Sequence, residues 1–528
     1  MSVLAADAAW RPAANPWLIA VVATLAAFME ILDTTIVNVS LPHIAGSLSS
    51  SYDDSTWALT SYLVANGIVL PISGWLGRLI GRKRFFLICI AAFSLFSLLC
   101  GVATSLGQLI VFRLLQGFFG GGLQPIQQSI ILDTFEPARR GRAFAVVAIA
   151  VIFAPVIGPT LGGWITDTYT WRWVFLINVP IGVFTFLAVT ALVEDPPWVR
   201  RDRARAKDFD YIGLGLIALG LGCLQIMLDR GEDNDWFSSP AIRVFGILAA
   251  LGLSGSVAWL LTTRKPIVDL RVFADRNFAV GSVAMFAIGA ILYSSSVLIP
   301  QLGQLWFGYT ALLAGLLLTP GAFLILVMIP IVARVLLPNV PTRALVAFGF
   351  LALGAALTYA HGLTPDMDFT HLALLRAAQS FGLAFLFVPN STLAYSTLPR
   401  QLNADASALY VMLRNVAGSI GISLVTAAVT SRAQVHRAYL TDHTSSLDSG
   451  FMQMLAQTRA QLQTQGVAPG RLQAVAEGLA NHTLDVQSAI LAYGDVFGYC
   501  AMAAFAIVPL ALLFRSGRQI ATSASGGH

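Results

Sequence analysis

Two carboxylates, Glu30 and Asp33, stand three residues apart inside an apolar run near the start of the chain. Residues at this spacing share a helix face. Thr34 and Asn38, four and eight positions after Glu30, continue the same stripe. A charge inside a membrane-spanning helix costs about 2.5–3.5 kcal/mol on insertion scales, which marks it as a functional candidate. A second stripe, Arg113, Gln116, Gly120, Gln124 and Gln127, recurs at steps of three and four. Asp33 lies nine residues from Pro42, about 13 Å along a helix axis. Arg113, on a run of opposite direction, lies five residues from Gln108, about 8 Å in, so the two can meet. The chemistry this suggests is proton carriage. Desolvation and a like charge favour the neutral acid, a nearby Arg favours the anion, and moving a carboxylate between wet and dry surroundings exchanges a proton. In this reading Asp33 carries the proton, Glu30 is a second site and Arg113 modulates both. The alternative is a static Asp33–Arg113 pair holding two helices together.

Such groups need helices to hold them in a membrane. The chain has 528 residues, 56% hydrophobic and only 11% charged, against about 25% charge in soluble domains. That composition excludes an ordinary soluble enzyme and excludes disorder, which needs low hydrophobicity and high charge. A crossing takes about 20 apolar residues, and the runs are apolar all round rather than alternating as barrel strands do. Fourteen spans are expected, at about 17–41, 56–77, 85–104, 108–131, 143–166, 173–193, 211–229, 241–262, 279–303, 311–335, 343–361, 370–396, 406–430 and 489–514. Basic residues concentrate in loops on one side, such as Arg78, Arg82, Lys83 and Arg84; Arg139, Arg140 and Arg142; Arg200, Arg201, Arg203, Arg205 and Lys207; and Arg515 and Arg518. The positive-inside rule then places both termini in the cytoplasm. The net charge of +5 reads as a topology signal, with no nucleic-acid patch. Cys89, Cys100, Cys223 and Cys500 fall in spans without metal spacing and read as small buried hydrophobes. No metal and no cofactor is expected.

Spans 1–6 and 9–14 look like two copies of one unit. Arg113-Leu-Leu-Gln116 recurs as Arg376-Ala-Ala-Gln379, 263 positions later, and the prolines ending spans 1 and 9, Pro42 and Pro300, are 258 apart. The expected fold is therefore all-α and membrane-embedded, with two six-helix bundles and an inserted helical hairpin, spans 7 and 8. The division expected is 1–194, then 195–278 with the hairpin, then 279–514, then a cytoplasmic tail at 515–528. Six-helix halves with a site between them suit alternating access. Asn38, Gln116, Gln124, Tyr293, Asn390 and Asn415, polar residues inside apolar runs, are candidates to line a substrate cavity. Arg376 and Asp495 lie at similar depth and are expected to pair. Gly158, Pro159, Gly162 and Gly163 allow close approach and bending, for gating or for static packing. The polar stretch 434–486 suggests two short amphipathic helices outside the membrane, serving either as a partner surface or as a solvated cap.

Several motifs carry a resemblance. Gly74-Trp-Leu-Gly-Arg78-Leu-Ile-Gly81-Arg82-Lys83 is similar to the loop signature of the major facilitator superfamily, and Arg113-Leu-Leu-Gln116-Gly117 to its span-4 motif. Leu32-Asp33-Thr-Thr-Ile-Val-Asn38-Val-Ser-Leu-Pro42, Gly158-Pro159-Thr-Leu-Gly162-Gly163 and Trp171-Arg-Trp-Val-Phe-Leu-Ile-Asn178 resemble the fourteen-span drug:proton antiporters, and Leu224-Gln-Ile-Met-Leu-Asp-Arg-Gly231 those of the EmrB type. The resemblance implies a multi-pass exporter in a bacterial inner membrane that expels amphipathic drugs in exchange for protons, with a periplasmic adaptor and an outer-membrane channel. An exporter of a fatty-acid-like or bile-salt-like compound is the alternative. It also implies gating by Gly74, Arg78, Gly81 and Arg82. One departure stands out: Arg78 occupies a position that is normally Asp in the cytoplasmic latch. No Gly-x-x-x-x-Gly-Lys, His-Glu-x-x-His or Gly-x-Ser-x-Gly occurs, so ATP-driven pumping within the chain and enzymatic chemistry are disfavoured.

Overall fold

The computed structural model describes residues 12–196, 209–399, 402–442, 444 and 449–514. Arg200, Arg201, Arg203, Arg205, Lys207, Arg515, Arg518 and the expected tail lie outside the described residues. Lipid cannot satisfy backbone polar groups, so an apolar chain of this kind folds into helices that satisfy their own. The helices are α1 (Pro16–Ser47), α2 (Trp57–Ile80), α3 (Arg82–Gly101), α4 (Leu106–Gly120), α5 (Leu123–Thr134), α6 (Pro137–Thr168), α7 (Asn178–Leu192), α8 (Tyr211–Arg230) and α9 (Pro240–Thr262). They continue as α10 (Arg276–Leu305), α11 (Thr319–Ile331), α12 (Thr342–His361), α13 (Phe369–Ala384), α14 (Phe387–Ala394), α15 (Asn403–Thr441), α16 (Ser449–Thr464) and α17 (Leu472–Ile507). Among the described residues thirteen stretches are long and apolar enough to cross a membrane, and the bent α6, taken as one span, makes a fourteenth. The 44° bend of α6 falls between Pro155 and Ile157. Pro159 removes the N–H that would bond the Pro155 carbonyl, which is why the bend falls there.

Helix pairing repeats. In the first half α1 packs on α6, α2 on α4 and α3 on α7; in the second half α10 packs on α15, α11 on α13 and α12 on α17. Each pair occupies the same place in its copy of the unit. The halves meet along α2 with α15 and along α6 with α11. The inserted hairpin, α8 with α9, lies against α2 and α15. Asp210 holds it together: its carboxylate caps α8 at Gly213 N (2.8 Å), takes Trp259 Nε1 of α9 (2.8 Å) and takes Ile267 N (3.3 Å). Large apolar side chains such as Leu187, Leu251, Phe323 and Leu374 point outward. Glu30, Asp33, Arg113, Gln116 and Arg376 are buried. This inside-out arrangement is what a lipid solvent selects.

The stretch 434–486 departs from expectation. Among the described residues only one separate α-helix forms there, α16. Residues 434–441 continue α15, and residues 472–486 are the opening turns of α17, which runs on into the membrane. No proline interrupts 472–507, so the amphipathic turns and the span join in one rod. Leu455 and Leu462 of α16 pack on Ala476 and Ala480 of α17, and these projecting turns form a small core of their own.

Candidate functional site

The end of the helical bundle that carries Arg78, Arg82 and Arg140 is called the basic end here, and its opposite the far end. Midway between them, Asp33 is fully buried. Its Oδ2 pairs with Arg113 Nη1 at 2.5 Å. Its Oδ1 accepts from Gln116 Nε2 at 3.1 Å and from Asn178 Nδ2 at 2.8 Å. Arg113 Nε donates to the Ala58 carbonyl at 3.1 Å, and the guanidinium lies 4.1 Å from the Tyr62 ring centroid. One carboxylate thus gathers groups from α1, α4 and α7, and the cation that faces it rests on α2. Gly117 makes this possible. A Cβ there would collide with the Tyr62 carbonyl, so only a glycine lets α4 lie close enough for Arg113 to cover Tyr62.

Glu30 lies one turn nearer the basic end, also buried. Its Oε1 accepts from Asn66 Nδ2 at 2.9 Å, with the Tyr62 hydroxyl at 3.4 Å, and its Oε2 accepts from Gln124. Gln124 Oε1 in turn accepts from Arg414 on α15, whose guanidinium also donates to Asn415 Oδ1 at 3.1 Å. Asp33 and Glu30 therefore share a helix but not their ligands. Tyr62 links them: its ring supports the partner of Asp33 and its hydroxyl faces Glu30. The Glu30–Gln124–Arg414 chain crosses from one half of the protein to the other.

The residues expected to line a cavity separate into groups. Asn38 is exposed, and Tyr293 and Asn415 are half-buried; Tyr293 lies beside Arg414. Gln116 and Gln124 serve the two carboxylates instead. Asn390 is buried, and its amide donates to the Gly281 carbonyl and to the Tyr410 hydroxyl, both at 2.8 Å. It ties α14 to α10 and α15, and its donors are spent there rather than turned to a cavity.

At the basic end Arg78 pairs with Asp405 of α15 at 2.5 Å. Arg82 pairs with Asp133, which also accepts from Asn403 Nδ2 at 3.3 Å. Gly74 permits this closeness: a Cβ would come 2.9 Å from the Ala404 carbonyl. Gly81, with φ of 95°, makes a turn between α2 and α3 that favours glycine. These residues clip one half to the other. The cation sits at Arg78 and the anion, Asp405, on the opposite half.

Gly158 and Gly162 press on α1. A Cβ on Gly158 would collide with Thr35, and one on Gly162 would come 2.7 Å from the Ile36 carbonyl. Pro159 and Gly163 are half-buried beside them. The Gly162→Ala variant is expected to lose about 1–3 kcal/mol through overpacking. Gly67→Ala, with open space around its Cβ inside α2, should keep or slightly raise the melting temperature, since Ala favours a helix interior by about 0.5–1 kcal/mol. Equal melting temperatures for the two variants would refute the close contact.

The expected pairing of Arg376 with Asp495 does not form. Asp495 is held by Arg432 and His436, at 2.7 and 2.8 Å. Arg376 donates to Ser295 and Ser296. Equal depth fixes height along the bundle but not the direction a side chain points, and these two point to different neighbours. Sequence reasoning missed Tyr62, Asn66, Asn178 and Arg414 around the carboxylates, and Asp133 and Asp405 in the clip. The Asn residues gave the same signal as those chosen, a polar residue in an apolar run. The two Asp residues looked like ordinary span-boundary charges. Among the described residues, no group of His, Cys, Asp and Glu could hold a metal ion.

Comparison with known proteins adds four findings. The model of the Major Facilitator Superfamily matches residues 23–422. The chain is 40% identical to the multidrug export protein EmrB of Escherichia coli over 448 residues, covering 85% of this chain and 86% of that one. It is 35% identical to the fatty acid resistance protein FarB of Neisseria gonorrhoeae over 506 residues, covering 96% of each. Among solved structures, the human organic anion transporter MFSD10 shares the fold, with a TM-score of 0.55 at 13% identity, covering 93% of this chain and 99% of that one.

Proposed function

Because this chain belongs to the Major Facilitator Superfamily, we propose that it is a proton-coupled antiporter. It exports amphipathic drugs across a bacterial inner membrane by alternating access between its halves. The observation that carries this reading is the buried Asp33–Arg113 pair, placed one turn from a second buried acid that reaches the other half through Gln124 and Arg414. Protonating Asp33 removes the charge that Arg113 faces and loosens α1 from α4. Glu30 meets only neutral donors directly, and its nearest cation belongs to the opposite half. A proton arriving there weakens the tie between halves, and its departure restores the tie. Substrate held near Asn38, Tyr293 and Asn415 then moves in the opposite sense. The driving force is about 2.3 kcal/mol per 100 mV plus about 1.4 kcal/mol per pH unit.

In this reading the basic end is cytoplasmic, and the Arg78–Asp405 and Arg82–Asp133 pairs form the inner gate. The functional units are 1–194 and 279–514, with 195–278 an insertion and 515–528 a cytoplasmic tail. The similarity to EmrB supports a periplasmic adaptor and an outer-membrane channel as partners, with α16 and the opening turns of α17 as the projecting surface. Similarity to FarB over 96% of the chain supports a second reading, export of a fatty-acid-like compound.

The test is transport in proteoliposomes with an imposed pH gradient. A cationic dye should be taken up against its gradient, and uptake should stop when the gradient is collapsed. Uptake indifferent to the gradient would refute proton coupling. Competition by a fatty acid against the dye distinguishes the two substrate readings.

A further inference from the structure

The duplication that repeats the helix pairs also repeats a binding site, but not completely. At the offset of 263 positions, Arg376 and Gln379 stand for Arg113 and Gln116. Ser295 and Ser296 of α10 face Arg376 as Asp33 of α1 faces Arg113, and α10 carries no Asp or Glu from Arg276 to Leu305. The second half has kept the cation and lost both acids. Arg376 is nonetheless only 1% exposed. Its Nη1 donates to Ser295 Oγ at 2.7 Å and its Nη2 to Ser296 Oγ at 3.0 Å. The Gln379 Oε1 lies 3.5 Å from Nη1. Among the described residues, no carboxylate lies within ion-pair distance of this guanidinium, and Asp495 is taken by Arg432 and His436.

One nitrogen of the guanidinium, Nε, lacks an acceptor, and so do two further buried donors on the same helix, Gln379 Nε2 and Ser380 Oγ. Gln379 and Ser380 are as buried as the guanidinium. A buried cation without an anion is costly, and so is each buried donor left unmet. In the first half the same geometry is completed by the Asp33 carboxylate. Here the two serine hydroxyls accept from the guanidinium and give their own protons to the Leu292 carbonyl, at 3.2 and 2.7 Å. The cation is thus met only by neutral acceptors, and the guanidinium Nε, the Gln379 amide and the Ser380 hydroxyl remain as unmet donors. That is the chemistry of a site for one negative charge. Arg376 lies seven residues into α13, about 10 Å from the far end.

We propose that Arg376, Gln379 and Ser380 of α13 form a binding site for a single monovalent anionic group. The group is a carboxylate or a halide, which supplies the charge that Asp33 supplies in the first half. Its source is either the head of an anionic amphiphile or a free inorganic anion.

The test uses the full-length protein purified in detergent, with gluconate as the background anion. Chloride or formate should raise the wild-type Tm by about 3 °C at a concentration a hundredfold above Kd. Arg376→Gln should abolish the rise. Should that variant fail to fold, Ser296→Asp serves instead. It supplies a tethered carboxylate, should melt higher than wild type in gluconate, and should no longer respond to chloride or formate. No rise in the wild type, or an equal rise in Ser296→Asp, overturns the proposal. Octanoate acting at far lower concentration than formate points to an amphiphile head. Equal potency of the two points to a free anion. Because binding is read without transport, failure here leaves the antiport reading untouched.

Discussion

Asp33→Asn is expected to reduce pH-gradient-driven transport to the level of protein-free vesicles, while the protein still inserts and binds substrate. The variant keeps the shape of the side chain and removes only its capacity to cycle a proton. It also leaves Arg113 buried opposite a neutral amide, with Gln116 and Asn178 still in place. Breaking a buried pair on one side costs about 3–5 kcal/mol because the remaining charge is uncompensated. The melting temperature should therefore fall as well. The double variant Asp33→Asn/Arg113→Gln separates the two effects. Removing both charges should recover most of the lost stability, yet transport should stay absent. If Asp33→Asn alone still moves substrate in response to the gradient, Asp33 is a structural partner of Arg113 and not the proton carrier. Measuring transport and thermal unfolding on the wild type and the two variants decides between these roles.

Reversing the clip at the basic end should have the second large effect. Arg78→Asp sets a carboxylate against Asp405, whose side chain is 4% exposed. The cost is about 3 kcal/mol, the low end for a buried pair, since Arg78 keeps 19% exposure. That shifts the ratio of clipped to open states about a hundredfold. Cysteines placed near Gly74 and Ala404 should become reactive to a water-soluble maleimide, and transport should fall. The exchange Arg78→Asp/Asp405→Arg restores opposite charges and should restore both closure and transport. An exchange variant as inactive as the single one would mean the residues act separately.

The sequence makes the fourteen crossings legible because lipid allows few alternatives to long apolar helices. Counting residues from span ends also brings Asp33 and Arg113 to compatible depths, and they do meet. The same counting fails for Arg376 and Asp495, since depth says nothing about azimuth. The partners of the carboxylates stayed hidden for a related reason. Asn66 and Asn178 are neutral amides like Asn38 and Asn390, and only the packed helices tell which of them face an acid. Arg414 carries no sequence feature that names Gln124 as its acceptor. Nor does Asp405, at the head of α15, announce that Arg78 is within reach. Helix continuation across 472–507 was obscured because its polar and apolar turns read as separate segments.

The inserted hairpin has a consequence for where oily molecules can cross the protein wall. α8 is fastened to both halves at once: Asp229 takes the Thr60 hydroxyl and Arg230 stacks 4.6 Å from the Trp57 ring on α2. Gln225 donates to Ser419 at 2.9 Å, and Ser423 to the Leu228 carbonyl at 2.7 Å, on the α15 side. The hairpin thus lies as a gasket over the α2–α15 flank. The opposite flank, where α6 meets α11, has no such cover among the described residues, and it is also where α6 bends. A compound dissolved in the bilayer meets two unlike walls, one caulked by two extra helices and one bare. Of the two seams between the halves, only the α6–α11 seam lies without a helical cover among the described residues, and the bent helix stands on it.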